Sequence, residues 1–130
     1  MTPELSALAA TVLIHVVTVI WSQRALEADI GRDGNVGTRE NLDERLSERS
    51  NRLRRALANH TENIGPFIIA VLLLTLTDNA SSLTAICAWT YVAARALYVP
   101  AYAFAWVPWR SVIYVIGLLA TLLMIGASFF

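Results

Sequence analysis

The chain has 130 residues, 56% of them hydrophobic and 15% charged, with ten acids balancing ten bases. Its length fits one domain, and zero net charge argues against a nucleic-acid footprint and a nucleic-acid partner. The apolar share and a mean hydropathy of +0.53 exceed those of a typical soluble domain, and most charges lie between Arg24 and Glu62, with nearly bare flanks.

Four apolar segments approach the roughly 20 residues that a bilayer-spanning helix needs. The first covers about 5–25. An acid, Glu4, stands where a signal peptide carries bases, so this segment reads as a retained span. His15 within it reads as packed and hydrogen-bonded. A polar connector, 27–51, follows. Gly31, Gly34 and Gly37 break structure in its early part. Its later part, "RENLDERLSERSNRLRR", alternates acids and arginines at helical spacing. Two readings stay open there: a solvated connector, or a surface helix leading into the second span.

The second span, 53–77, reaches spanning length only if it includes the polar stretch "RRALANHTENIGPF". The third, 83–104, contains Arg95 and Pro100, and the fourth, 109–130, opens on Trp109 and Arg110. Asp78-Asn79 makes the turn between spans two and three. "AWVPW", residues 105–109, makes the next, with Trp residues suited to a membrane interface. The expectation is an all-α, polytopic membrane protein, a four-transmembrane-helix bundle in which residues 1–130 form a single domain. Arg32, Arg39, Arg45 and Arg49 lie in the first connector and Arg110 borders the last. The positive-inside rule then sets both termini away from the cytoplasm, in the inner membrane if the source is bacterial.

All ten cations are Arg, whose planar fork of donors suits carboxylates. Cys87, the sole cysteine, sits in an apolar run and reads as packing. At about 100° per residue, Arg55, Asn59 and Glu62 share one narrow stripe rising roughly 10 Å. An ionisable group at the depth of Glu62 faces a bundle interior or a wet cavity. Tyr91, Arg95, Tyr98 and Tyr102 make a second stripe, in the third span, and a Glu62–Arg95 ion pair would satisfy both helices. Arg110 and Tyr114, at i and i+4, add a third polar patch. Such residues either glue helices together or converge on one cavity. A cavity so lined would take a zwitterionic, peptide-like anion: arginines for carboxylates, Glu62 for an ammonium, Asn59 to donate and accept. His15 and His60 lie on different segments with no cysteine or carboxylate at ligand spacing, so no metal site is expected.

"RALANHTENIGPF" in span two, "RALYVPAY" in span three and "WRSVIY" opening span four resemble the MAPEG family, the membrane-associated proteins in eicosanoid and glutathione metabolism. The resemblance covers nearly the whole chain. It implies a MAPEG-like bundle assembled as a homotrimer, with glutathione as cosubstrate in clefts between neighbouring subunits on the cytoplasmic side. It further implies that Arg55, Asn59, Glu62 and Arg95 belong to the glutathione site. Tyr98 and Tyr102 would line the groove, Arg110 would favour the thiolate, and Ser111 and Tyr114 would sit beside it. Arg24 matches loosely an arginine brought in from the adjacent subunit. Departures from the family pattern fall at Ala58, Asn63, Tyr98 and Pro100.

The function implied is an integral-membrane glutathione transferase or peroxidase acting on a lipophilic small-molecule electrophile or hydroperoxide dissolved in membrane lipids. The competing readings are a non-catalytic lipid-binding scaffold of the same fold and a small transporter.

Overall fold

The computed structural model describes residues 1–130 and contains only helices and short turns. Helix α1 covers Pro3–Val36, the short α2 Leu42–Arg45, α3 Glu48–Leu76, α4 Ser82–Ala103 and α5 Trp109–Ala127. The four long helices are each long and apolar enough to cross a membrane.

Their starts follow from local chemistry. Thr2 caps α1 by accepting from the Leu5 N–H, with Pro3 in the first turn, where its missing donor costs nothing. Ser47 caps α3 through the Ser50 N–H, and Ser81 and Thr84 cap α4 reciprocally. Prolines inside α3 (Pro66) and α4 (Pro100) do not end these helices, as is common for helices of this apolar kind.

Over residues 4–22 the buried face of α1 is mostly small or polar: Glu4, Ala7, Thr11, Thr18 and Ser22. Its exposed positions include Val12, Leu13, Val16, Val17 and Ile20. This is the distribution expected where lipid surrounds the bundle and helices meet through small side chains. The threonines spend their hydroxyls on their own helix, Thr11 donating to the Ala7 carbonyl at 2.9 Å and Thr18 to that of Ile14 at 2.7 Å.

Helix α4 packs against α1, α3 and α5, and α3 packs against α1 and α5. The main core stacks Phe67 of α3 on Tyr91 of α4, ring centres 3.9 Å apart, among Ala7, Val71, Leu74, Ala88 and Met124. Gly117 lets α5 approach α4 closely; a methyl group there would come 3.4 Å from the Ala94 Cβ.

The connector is folded, although most of its residues remain exposed, as a solvated connector requires. Helix α1 runs on past residue 25, interrupted at Gly31, whose φ of 72° suits glycine, and ends at Gly37. Gly34 lies within the continuation, so the three glycines do not clear the segment of helix. Leu26, Leu42 and Leu46 then bury one another against Ile30. The Ser47 N–H donates to Asp29 and the Asn51 amide to the Asp43 carbonyl, both at 2.9 Å. The surface-helix expectation is met only by α2 and by the early start of α3 at Glu48. Arg52 Nε, donating to the Ala103 carbonyl at 2.9 Å, ties the start of α3 to the end of α4.

Candidate functional site

Near the connector end of the bundle, α3, α4 and α5 splay around a cavity of about 480 Å³. From α3 it takes Arg55, Ala58, Asn59 and Glu62. The spacings of four and three set the polar members on one side, a turn apart. Helix α4 contributes Tyr98 and Tyr102, and α5 contributes Arg110, Ser111, Tyr114 and Val115. Eight of the ten residues expected at a site therefore meet at one cavity.

Its wall is a relay of cations and rings. The Arg110 guanidinium lies over the Tyr102 ring at 4.5 Å, Tyr102 meets Tyr98 edge-on at 5.9 Å, and Tyr98 also faces Tyr114 at 6.2 Å. Each guanidinium–ring contact of this kind is worth about 0.5–2 kcal/mol, depending on how dry it is, and holds the cation without consuming its charge. A smaller cavity of about 230 Å³ shares Arg55, Tyr102 and Arg110, and adds Arg52 and Trp106. Glu62 is exposed on the larger cavity's wall and pairs with no cation of the chain; the salt bridges present are Arg52–Glu48 and Arg54–Asp43. With Arg55, Arg110 and Glu62 the wall offers two cations and one anion, the complement of a zwitterion carrying an excess of carboxylate.

Two expected residues lie elsewhere. Arg24 is exposed on α1 and does not line the cavity. Arg95 is only 2% exposed and sits behind the wall. The expected Glu62–Arg95 ion pair is not formed. Arg95 Nε donates to His60 Nδ1 at 3.0 Å and its Nη2 to Asn59 Oδ1 at 3.2 Å, with the guanidinium over the Tyr98 ring at 4.4 Å. The physical reason is rotational. Glu62 faces the open side of α3, whereas the nitrogens of Arg95 meet the edge of α3 that carries Asn59 and His60.

His60 is the residue that sequence reasoning passed over. It is fully buried and stacks on His15 of α1, ring centres 5.4 Å apart. The signal was present: His60 falls in the buried stripe Ser50, Leu53, Ala56, His60, Phe67, Val71, Leu74, and beyond Ser50 at the helix start it is the polar residue on an otherwise apolar face. The expectation of a hydrogen-bonded His15 is not met, since its Nδ1 has no partner and stacking holds the ring instead. Asn63 accepts from the Tyr91 hydroxyl at 2.8 Å, a helix-to-helix contact outside the cavity.

Comparison with curated proteins and with solved structures finds no match. The family model described as "MAPEG family" matches residues 6–130, almost the entire chain. With four helices able to span a bilayer and a match of that extent, the chain is an integral multi-pass membrane protein and belongs to the MAPEG family.

Proposed function

We propose that this protein is an integral-membrane glutathione transferase, with peroxidase activity toward lipophilic hydroperoxides as a second use of the same thiolate. The observation that carries this reading is the convergence of Arg55, Asn59, Glu62, Tyr98, Tyr102, Arg110, Ser111 and Tyr114, from three helices, on one cavity of about 480 Å³. Glutathione has two carboxylates, one ammonium and one thiol. Arg55 and Arg110 match carboxylates and a thiolate, and Glu62 matches the ammonium.

The chemistry needs little more than a fixed cation. A free thiol has a pKa near 8.5, so only about 3% is ionised at pH 7. A guanidinium beside the sulfur lowers that value and raises the share of the nucleophilic form. Arg110 is the candidate, since its contact with the Tyr102 ring leaves the charge free. In transfer, a carbon–sulfur bond forms while the leaving group departs with its electron pair or an epoxide carbon–oxygen bond opens. In peroxide reduction, the thiolate takes the terminal oxygen and the alkoxide is protonated. A second glutathione then displaces water to give the disulfide.

Homotrimeric assembly with glutathione at the seam between subunits belongs to the same proposal. It gives a reason for the exposure of Arg55 and Glu62 in the single chain and for the unpaired Arg24 on α1. The site would face the cytoplasm, with both termini on the other side.

The test is a glutathione titration of the purified protein, followed at the thiolate absorbance near neutral pH. The wild type is expected to bind glutathione as thiolate. Arg110→Ala is expected to lose that signal and to lower conjugation about a hundredfold, as removal of a preorganised charge-stabilising group does. A wild type with no bound thiolate would sink the catalytic reading. An apolar groove of about 370 Å³ between α1 and α4, lined by Leu13, Val17, Trp21, Val99 and Pro100, supports the second reading, a lipid-binding scaffold. Fatty-acid binding without any conjugation would favour it.

A further inference from the structure

A cluster of buried polar groups takes part in the cavity only through its back wall. Arg95, 2% exposed, reaches two residues of α3: Nε donates to His60 Nδ1 at 3.0 Å and Nη2 to Asn59 Oδ1 at 3.2 Å. Tyr98 covers one face of the guanidinium. His60 has no accessible surface, and His15 of α1 stacks on it with 25° between the planes. No carboxylate pairs with Arg95.

Each contact removes a freedom from the next. An asparagine amide has an acceptor end and a donor end, and either can face a ligand when the side chain is free to turn. Asn59 lines the cavity, and Arg95 donates to one lone pair of its oxygen, which draws that end toward α4. The end then free to turn to a ligand is the NH2, so this position favours acceptors: a carboxylate or a peptide carbonyl. Arg95 in turn has a long, rotamer-rich side chain whose ordering is unfavourable. The His60 acceptor and the Tyr98 ring fix it. Accepting at Nδ1 requires the His60 ring to carry its hydrogen on Nε2, and the stacked His15 sets the ring plane.

We propose that His60 is a positioning residue for the bound tripeptide: through Arg95 it locks Asn59 with its amide N–H groups turned to the cavity. The proposal rests on the glutathione reading above. It assigns a role to a fully buried residue that is not part of the cavity lining.

The test compares two polar replacements that differ in where they put an acceptor. His60→Asn places an oxygen close to the position of Nδ1, while His60→Gln places it near that of Nε2. Glutathione affinity is measured calorimetrically on the purified, detergent-solubilised protein, alongside thermal stability. His60→Asn is expected to bind within about twofold of wild type and His60→Gln about tenfold more weakly, the scale of one charge-assisted hydrogen bond. In an Asn59→Ala background, His60→Gln is expected to change affinity no further, because the two act in series. A merely structural His60 would lower stability in both variants without separating their affinities. Equal affinities for the two variants, or a further loss on the Asn59→Ala background, would overturn the proposal. A wild type that binds no glutathione would overturn this proposal and the functional reading together, a result distinct from a binding wild type with indistinguishable variants.

Discussion

Two charged side chains lie almost wholly inside this bundle, and they are treated in opposite ways. Glu4, 1% exposed, sits at the first turn of α4, where the Thr84 hydroxyl donates to its Oε1. A helix N-terminus carries fixed positive partial charge, so a carboxylate there is stabilised by the fold itself. Arg95 has only neutral acceptors and an aromatic face for company. Those contacts engage two of its five N–H groups and leave its charge intact, one ring away from the cavity. The difference separates burial that completes the fold from burial that serves a site. An ionisable group answered by a helix dipole is engaged by the fold, even though the second Glu4 oxygen is buried without a hydrogen-bond partner. One held by uncharged partners still projects a field.

Four substitutions press on this contrast, beginning with Arg110→Ala, whose expected loss of conjugation, about a hundredfold, is the largest. Arg95→Met comes next. It removes both the brace on Asn59 and the cation behind Tyr98, so glutathione affinity is expected to fall about thirtyfold, the equivalent of roughly 2 kcal/mol. Stability is expected to change by under about 1 kcal/mol, because loss of a desolvated charge offsets the two acceptors left bare. Calorimetric titration and thermal unfolding in detergent report the two quantities separately, and a large stability loss with unchanged affinity would erase the contrast. Glu4→Leu should behave in reverse: about 1–2 kcal/mol less stable, by loss of the carboxylate–dipole interaction and one hydrogen bond, with glutathione affinity unchanged. The smallest effect belongs to the connector. Arg54→Ala breaks a 2.6 Å pair with the largely exposed Asp43 and is expected to cost about 0.5 kcal/mol or less, vanishing in high salt.

The membrane helices were readable because hydropathy is a sum over many residues and tolerates local exceptions. The stripe Arg55, Asn59, Glu62 was readable because helical period is fixed by backbone geometry, and the same held for Tyr98 with Tyr102 and for Arg110 with Tyr114. What was not readable was the rotation of one helix against another. Glu62 and Arg95 were matched by charge, yet pairing across helices depends on azimuth. A single step along α3, from Asn59 to His60, turns the side chain by about 100°, enough to move it from the cavity to the back of its wall. The burial of Glu4 is not legible for a related reason: at the head of an apolar run, a lone acid looks like a solvated end, and only the packing of α1 on α4 makes it internal. The helix within the connector is not legible from its glycines, because among them Gly31 alone adopts a backbone that other residues avoid.

Up to that glycine, α1 is unbroken over residues 3–30, about 42 Å of helix against a hydrocarbon layer of about 30 Å. Its last turns therefore stand in water at the end of the bundle where the cavity opens, and they carry the folded connector with them. On the proposed function this geometry separates traffic. A charged tripeptide arrives from the aqueous phase, its oily partner arrives sideways from the bilayer, and neither queues at the other's doorway. The conjugate, more soluble in water than the molecule it came from, leaves by the watery exit and keeps the lipid-facing approach clear for the next turnover.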